Sequence, residues 1–293
     1  MNGIICINKD RDFTSFDVVA KMRGISGIRK VGHGGTLDPM ATGVLPLFFG
    51  TATGAVDRLE QADKEYVATF TLGFTTDTLD ITGQVQNRYE VNADFEQVKA
   101  VAMSFLGKSL QVPPMYSAIR VGGQRLYDLA REGIEVKREP RPIEIFDMDI
   151  APAEEEHTYR LRVHCGKGTY IRSLIDDIGQ KLGCGATMTT LVRTKSGPFT
   201  LDDCLTLQQA QENREHLQDY CLPVERLFET LPRIDLNSKK TRLFSNGVRL
   251  RADQVPEAKA DELCAVFGNH GEFLGLAKLT ENEFIVEKMF FRR

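Results

Sequence analysis

The fold class predicted for this chain is α+β, a largely antiparallel mixed sheet flanked by helices, followed by a small β-rich C-terminal module. Three observations predict it. Alternating or apolar runs such as EYVATFTLGF and TYRLRVHCG have the two-residue period of strands. GTYIRSLIDDIGQKLG places Ile171, Leu174, Ile175, Ile178 and Leu182 along one side of a helix. Strands and helices do not follow each other in the βαβ rhythm that builds a parallel sheet. With 293 residues, 42% hydrophobic and 27% charged, the chain can bury a sizeable core in one large domain and a smaller one.

GIICINKD opens the chain as a strand. SFDVVAKMRGI follows as a helix, with Thr14 or Ser15 at its cap and Phe16, Val18, Val19 and Met22 as its apolar stripe. GHGGTLDPMATG is then a loop, because Asp-Pro starts turns and Gly34 and Gly35 supply permissive backbone. GVLPLFF suits a buried strand in which Pro46, lacking an N–H for the ladder, marks a bulge or an edge. ATGAVDRLEQA reads as a helix, EYVATFTLGF as a strand closed by the turn formers TTDTLDITG, and FEQVKAVAMSFLG as a helix ending at Gly107. LQVPPMYSAIRVGGQRLYDLAREG gives a proline-marked loop, a strand, a Gly-Gly turn and a short helix. RPIEIFDMDIA and TYRLRVHCG resume the strands, GTYIRSLIDDIGQKLG is a helix, and ATMTTLVRTKSGPF is again a strand. After Phe199 the composition turns acidic: Leu205 to Tyr220 reads as a polar helix, and a break falls within Pro223 to Leu236. The alternating tail, EFLGLAKLT and EFIVEKMFF, completes a β module. The domains expected are therefore 1–230 and 236–293.

Composition excludes several function classes. MNGIICINKDRDF has too few apolar residues before Lys9, Asp10 and Arg11 for a signal-peptide core, and no stretch approaches a membrane-spanning length. No membrane contact is expected, and the cytoplasm is the expected compartment. Six cysteines are scattered without a Cys-x-x-Cys pair, which argues against a zinc knuckle and a disulfide framework. The five histidines show no metal-ligand spacing, so no metal is expected. There is no phosphate-binding Gly-x-x-x-x-Gly-Lys-Ser/Thr, no Gly-x-Gly-x-x-Gly and no Gly-x-Ser-x-Gly. A net charge of −4 gives no global nucleic-acid signature, yet KMRGISGIRK (Lys21 to Lys30) is locally basic while AEEE (Ala153 to Glu156) is acidic.

What remains is a set of polar residues on apolar elements: Asp38 in the glycine loop, Tyr66 at the start of a strand, Arg172 in the first turn of a helix. Taken singly, each has an ordinary reading, as a turn residue, a core aromatic and a helix-end cation. Together with their surroundings they point further. GHGGTLDPMATGVL, KEY (Lys64 to Tyr66), GTYIRSLIDDIG and LVRTKSGPF closely resemble, in order and spacing over about Gly3 to Thr200, the motifs of the bacterial tRNA pseudouridine synthase B (TruB) family. The tail resembles, loosely, that family's small RNA-binding module of PUA type.

The resemblance implies a pseudouridine synthase fold and isomerisation of the T-loop uridine, position 55 in tRNA numbering, without cofactor or metal. It implies that Asp38 is the catalytic aspartate, Tyr66 the active-site tyrosine, Arg172 the arginine that pairs with the aspartate, and Leu191 a pocket wall. His33 falls on the histidine that enters the T loop, and Lys64 and Tyr170 hold supporting positions. The T loop and T stem of tRNA are the implied partner, a monomer the implied state, and help with tRNA folding a further role. One departure is Val192, where many members carry arginine; Arg193 and Lys195 remain as phosphate contacts. The chemistry suits these residues. Breaking C1′–N1 and joining C5 to C1′ changes neither atom count nor oxidation state, so no cofactor is required; the reaction needs a nucleophile or anion at the ribose or the base, and a carboxylate can serve. A carboxylate in a water-poor pocket stays ionised when a guanidinium stands beside it. Attack of Asp38 on C1′, attack on C6, and elimination to a glycal all remain open. An RNA-binding or folding factor without chemistry is the competing class, against which stands the intact Asp38, Tyr66 and Arg172 set. A guide-RNA-dependent synthase of the archaeal and eukaryotic type is a third reading, and the lack of long basic extensions favours the stand-alone type.

Overall fold

The computed structural model describes residues 1–117 and 119–290. In chain order its elements are β1 (Gly3–Lys9), α1 (Ser15–Ser26), β2 (Val31–His33), β3 (Thr42–Phe49), α2 (Val56–Gln61), β4 (Lys64–Leu72), β5 (Phe74–Thr76), β6 (Val85–Arg88) and α3 (Phe95–Met103). There follow β7 (Gly107–Gln111), β8 (Arg120–Val121), β9 (Gln124–Arg125), α4 (Leu126–Arg131), β10 (Arg141–Pro152), β11 (Thr158–Cys165), α5 (Ile171–Leu182), β12 (Ala186–Ser196), β13 (Phe199–Thr200), β14 (Cys204–Leu205) and α6 (Leu207–Glu212). The tail holds β15 (Arg233–Asp235), α7 (Ser238–Ser245), β16 (Leu250–Arg251), β17 (Leu263–Phe267), β18 (Phe273–Thr280) and β19 (Glu283–Met289).

Among the described residues, the first sheet has ten strands in the order β14-β1-β3-β12-β4-β11-β10-β7, with β2 on β3 and β13 on β12. Only β1/β14 and β3/β12 pair in parallel, so the sheet is mixed and largely antiparallel, as the sequence predicts. β4 carries the clean alternation of a one-sided strand: Tyr66, Ala68, Phe70 and Leu72 are buried, and the residues between them are half-exposed. β1 and β3 are continuously apolar because both their faces are covered. Ile5, Ile7, Leu45, Leu47 and Phe49 face the helices, whereas Ile4, Cys6, Val44 and Phe48 face the second sheet.

Local signals set the helices. Thr14 caps α1 in a capping box with Asp17, and Asp94 caps α3 in one with Gln97. Phe16 departs from the expected stripe. It is 64% exposed, while Ser15, Val18, Val19 and Met22 form the buried side, because the helix docks through the turn holding Ser15 rather than through Phe16. Pro46 lies in no bulge. Along one edge of β3 the neighbour changes from β12, opposite Thr42 and Gly43, to β2, opposite Leu47 to Phe49, and Pro46 falls in the gap between them. α3 ends at Met103, earlier than the expected Gly107, and Gly107 instead opens the edge strand β7. Leu205 to Tyr220 is not one helix but α6 followed by a 3₁₀ segment, Arg214–Tyr220.

The second sheet, β15-β17-β18-β19-β16, shares a core with the first. Phe228, in a 3₁₀ turn within the expected break, lies between the two sheets. Its ring centroid is 5.6 Å from that of Phe273 and 5.7 Å from that of Phe290, and Phe273 and Phe290 stack at 5.6 Å. Aromatic pairs at this spacing add to the area they bury. We expect Phe273→Ala to cost about 3–5 kcal/mol and the whole chain to unfold in one denaturant transition. Early melting of the tail alone would show instead that the sheets fold independently.

Candidate active site

The loop between β2 and β3 presents Asp38, and its neighbours are pinned by buried polar groups. Leu37 donates its N–H to Ser15 Oγ at 2.9 Å and accepts from the same hydroxyl at 3.3 Å. The Pro39 carbonyl accepts from Lys9 Nζ at 3.0 Å and from the Asp12 N–H at 2.8 Å. Lys9 is fully buried and also donates to the carbonyls of Asp10 and Phe13. On the other side, Arg193 donates to the carbonyls of Val44 (2.8 Å), Gly35 (3.1 Å) and Thr36 (3.5 Å). Two glycines make that approach possible. Gly35 has φ +95°; Gly43 has φ +104°, and a Cβ there would lie 2.2 Å from the Arg193 carbonyl oxygen.

Arg172 comes from the first turn of α5. A cation there opposes the helix dipole, and burial to 4% exposure removes its water, so it requires anionic partners. It has them. Nε lies 2.9 Å from Asp38 Oδ2 and Nη2 donates to Asp38 Oδ1 at 3.0 Å, a fork-on-carboxylate pair. Asp80, itself buried, lies 3.7 Å from Nη1, and the carbonyls of Thr78 and Tyr116 accept at 2.9 and 2.8 Å. The start of α5 is fixed by Gln111, whose side-chain amide donates to the Tyr170 carbonyl and accepts from the Tyr170 N–H.

These residues border a cavity of about 360 Å³. Its lining brings together Asp38, Lys64, Tyr66, Tyr170, Arg172 and Leu191. A larger hollow, about 730 Å³, lies on the opposite face of the first sheet among threonines of β4 and β12 and Glu154 to Glu156. Its lining holds no aspartate–arginine pair. Burial pushes the Tyr66 hydroxyl above the usual tyrosine value, and the neighbouring Arg193 charge opposes that rise. Lys64 donates to the carbonyls of Ala62 (2.7 Å) and Glu60 (3.2 Å), and burial, with Arg193 nearby, lowers its ammonium from 10.5 to about 8.

That shift has a testable sign. Between about pH 8 and 10.5 the folded state holds fewer protons at Lys64 than the unfolded chain, so this group's contribution to stability rises with pH. We expect the unfolding free energy of the wild type to gain on that of Lys64→Met across this window. A difference constant with pH would contradict the shift.

His33 is not part of the cavity lining. It ends β2, half-buried, its Nδ1 without a hydrogen-bond partner among the described residues, and burial keeps the ring below the usual histidine value. Arg193 corrects an expectation: it is no phosphate contact but a fully buried guanidinium spent on carbonyls of the Asp38 loop and β3. Lys195 does stay near the surface, 3.5 Å from Asp63. Lys9, Ser15, Asp80 and Gln111 were not singled out from the sequence, since nothing in composition or spacing distinguishes a buried polar side chain from an exposed one. The one usable signal was Lys9 at the end of an apolar strand.

Residues 23–171 match the family model described as "TruB family pseudouridylate synthase (N terminal domain)", and residues 172–229 match "tRNA pseudouridylate synthase B C-terminal domain". The class is thus that of the pseudouridylate synthases. The protein named tRNA pseudouridine synthase B of Clostridium novyi (strain NT) is 42% identical over 290 residues, covering 99% of each chain. The protein of that name from Dehalococcoides mccartyi (strain ATCC BAA-2266 / KCTC 15142 / 195) is 45% identical over 267 residues, 89% of this chain and 88% of its own. Among solved structures, a Cbf5-Nop10-Gar1 complex is similar at TM-score 0.78 and 29% identity, covering 99% of this chain and 85% of that one. An H/ACA RNP bound to a substrate RNA containing 2'-deoxyuridine is similar at TM-score 0.76 and 26% identity, covering 99% of this chain and 86% of that one. The chain belongs to the TruB family.

Proposed function

We infer that this chain is a tRNA pseudouridine synthase, an isomerase, and that it converts uridine 55 of the T loop to pseudouridine with Asp38 as nucleophile. The activity is the one its curated relatives are named for. The observation that carries the roles is the forked Asp38–Arg172 pair on a cavity that also holds Tyr66 and Leu191. The target uridine lies within a folded loop, so it must be turned out of its stack at a cost of a few kcal/mol. His33 takes the vacated place, and its position outside the cavity, at the end of β2, suits that part. In the cavity the base lies on the Tyr66 ring, where stacking contributes roughly 1–3 kcal/mol, and Leu191 closes the other wall. Asp38, oriented by the Arg172 fork, acts at C1′ or at C6. The C1′–N1 bond breaks, the base turns, and C5 joins C1′.

The second sheet acts as a PUA-like RNA-binding module, the division into 1–230 and 236–293 being one of roles, given the core the two share. The chain works as a monomer in the cytoplasm; among the described residues no helix is long and apolar enough to cross a membrane. Incubating the purified protein with an unmodified tRNA transcript and mapping pseudouridine along it tests the whole. One modified site, in the T loop, is expected; no product, or product elsewhere, rejects the reading.

A further inference from the structure

Arg193 is fully buried on β12, directly opposite Tyr66 on β4. Residues opposite each other in an antiparallel pair project from the same face, so guanidinium and phenol stand side by side in the cavity wall. Its hydrogen bonds run to the carbonyls of Val44, Gly35 and Thr36, and among the described residues no carboxylate forms an ion pair with it. A guanidinium has five N–H donors, so these three bonds leave two. The loop does not depend on it alone, since Ser15 and Lys9 hold the residues on either side of Asp38. Nor is it the partner of the Asp38 carboxylate, which Arg172 takes. An uncompensated buried cation is costly, and it becomes favourable where a neighbouring group turns anionic. Tyr66 is that neighbour, and its hydroxyl is the one whose ionisation Arg193 assists against burial.

We propose that Arg193 is a positioning residue that acts through Tyr66, holding the phenol oxygen in place and stabilising its ionised form while C5 of the newly joined base loses its proton. The inference rests on the pseudouridine synthase reading. Once C1′ has joined C5, that carbon is tetrahedral and still carries hydrogen. The hydrogen leaves as a proton to the Tyr66 oxygen, whose own proton has passed to water. The C–H electron pair becomes the C5–C6 double bond, the C6–N1 π pair moves to N1, and N1 takes a proton from water.

Single-turnover pseudouridine formation on tRNA transcripts carrying hydrogen or deuterium at uridine C5 tests this, with tRNA affinity and melting temperature followed in parallel. Arg193→Lys is expected to bind tRNA as the wild type does, to react about 10²-fold more slowly, and to show a larger C5 isotope effect. In a Tyr66→Phe background the same substitution is expected to add no further loss. Arg193→Met, which keeps the stem without the charge, is measured alongside in case the lysine variant does not fold. Slowing without a larger isotope effect, slowing that adds fully to that of Tyr66→Phe, or a folded methionine variant at wild-type rate would each overturn the proposal. A wild-type chain that makes no pseudouridine rejects the functional reading itself, before any variant is compared.

Discussion

Asp38→Asn is expected to bind tRNA with nearly unchanged affinity and to form no detectable pseudouridine, a loss of at least about 10⁴-fold, the scale on which removal of a nucleophile is felt. The substitution keeps the side chain's size and alters none of the bonds that shape the loop. Ser15 grips Leu37 through both its N–H and its carbonyl, and Lys9 with the Asp12 N–H grips Pro39. The Asp38 carbonyl still accepts from the Ala41 N–H at 3.1 Å. What disappears is the negative charge and the nucleophilic oxygen. Binding measured by filter retention, beside pseudouridine mapping on the same transcript, separates the two effects. Turnover at a normal rate would remove Asp38 from the chemistry.

Arg172→Lys is expected to lower turnover by about 10³-fold, comparable to removing one strong stabilising group, with a smaller loss of stability. The guanidinium makes four connections at once: two to the Asp38 carboxylate, and one each to the Thr78 and Tyr116 carbonyls, with Asp80 close behind. An ammonium is a point donor and cannot span that set, so the carboxylate is no longer held in one orientation. Arg172→Leu is harsher. It leaves Asp80 buried opposite an apolar group, and removing one partner from a buried ion pair costs about 3–5 kcal/mol. Asp80 does retain Thr78 Oγ1, the Thr82 N–H and Thr82 Oγ1, which softens the loss without replacing the charge. Single-turnover rates with denaturant unfolding of both variants check this, and a lysine variant at near-normal rate would count against the pairing.

The two substitutions bear on different parts of one arrangement. In the proposed reaction Asp38 supplies the reacting atom, whereas Arg172 sets where that atom points. The double variant is therefore expected to react no more slowly than Asp38→Asn alone, because residues that act as a unit are not additive.

Much of this was legible in one dimension. Apolar runs placed β1 and β3, and periodicity placed α1, β4, β10, β11, α5 and β12, because each of these repeats its apolar residues at the spacing of its own geometry. The motifs placed Asp38, Tyr66, Arg172 and Leu191, and folding brings all four to one cavity although 134 positions separate Asp38 from Arg172. Where the reading failed, it failed for lack of long-range information. Phe16 was put on the buried side of α1 by its period, but α1 docks through Ser15 onto Leu37, which turns Phe16 outward. Arg193, expected from the motif as a phosphate contact, is instead buried against the carbonyls of the Asp38 loop.

Local sequence determines which segments are strands and helices, where their caps and turns fall, and which residue types are on hand for acid, base and stacking work, since these depend on neighbours within a few positions. Tertiary structure alone decides burial and partnership. It makes Arg193 a buried neighbour of Tyr66, sets Lys9 and Ser15 on either side of Asp38, gives Arg172 a second carboxylate in Asp80, and lays the second sheet over β1 and β3. The reason is dielectric and geometric: a charge acquires its meaning from the water it has lost and the atoms that replace it, and those atoms come from parts of the chain that only folding brings together.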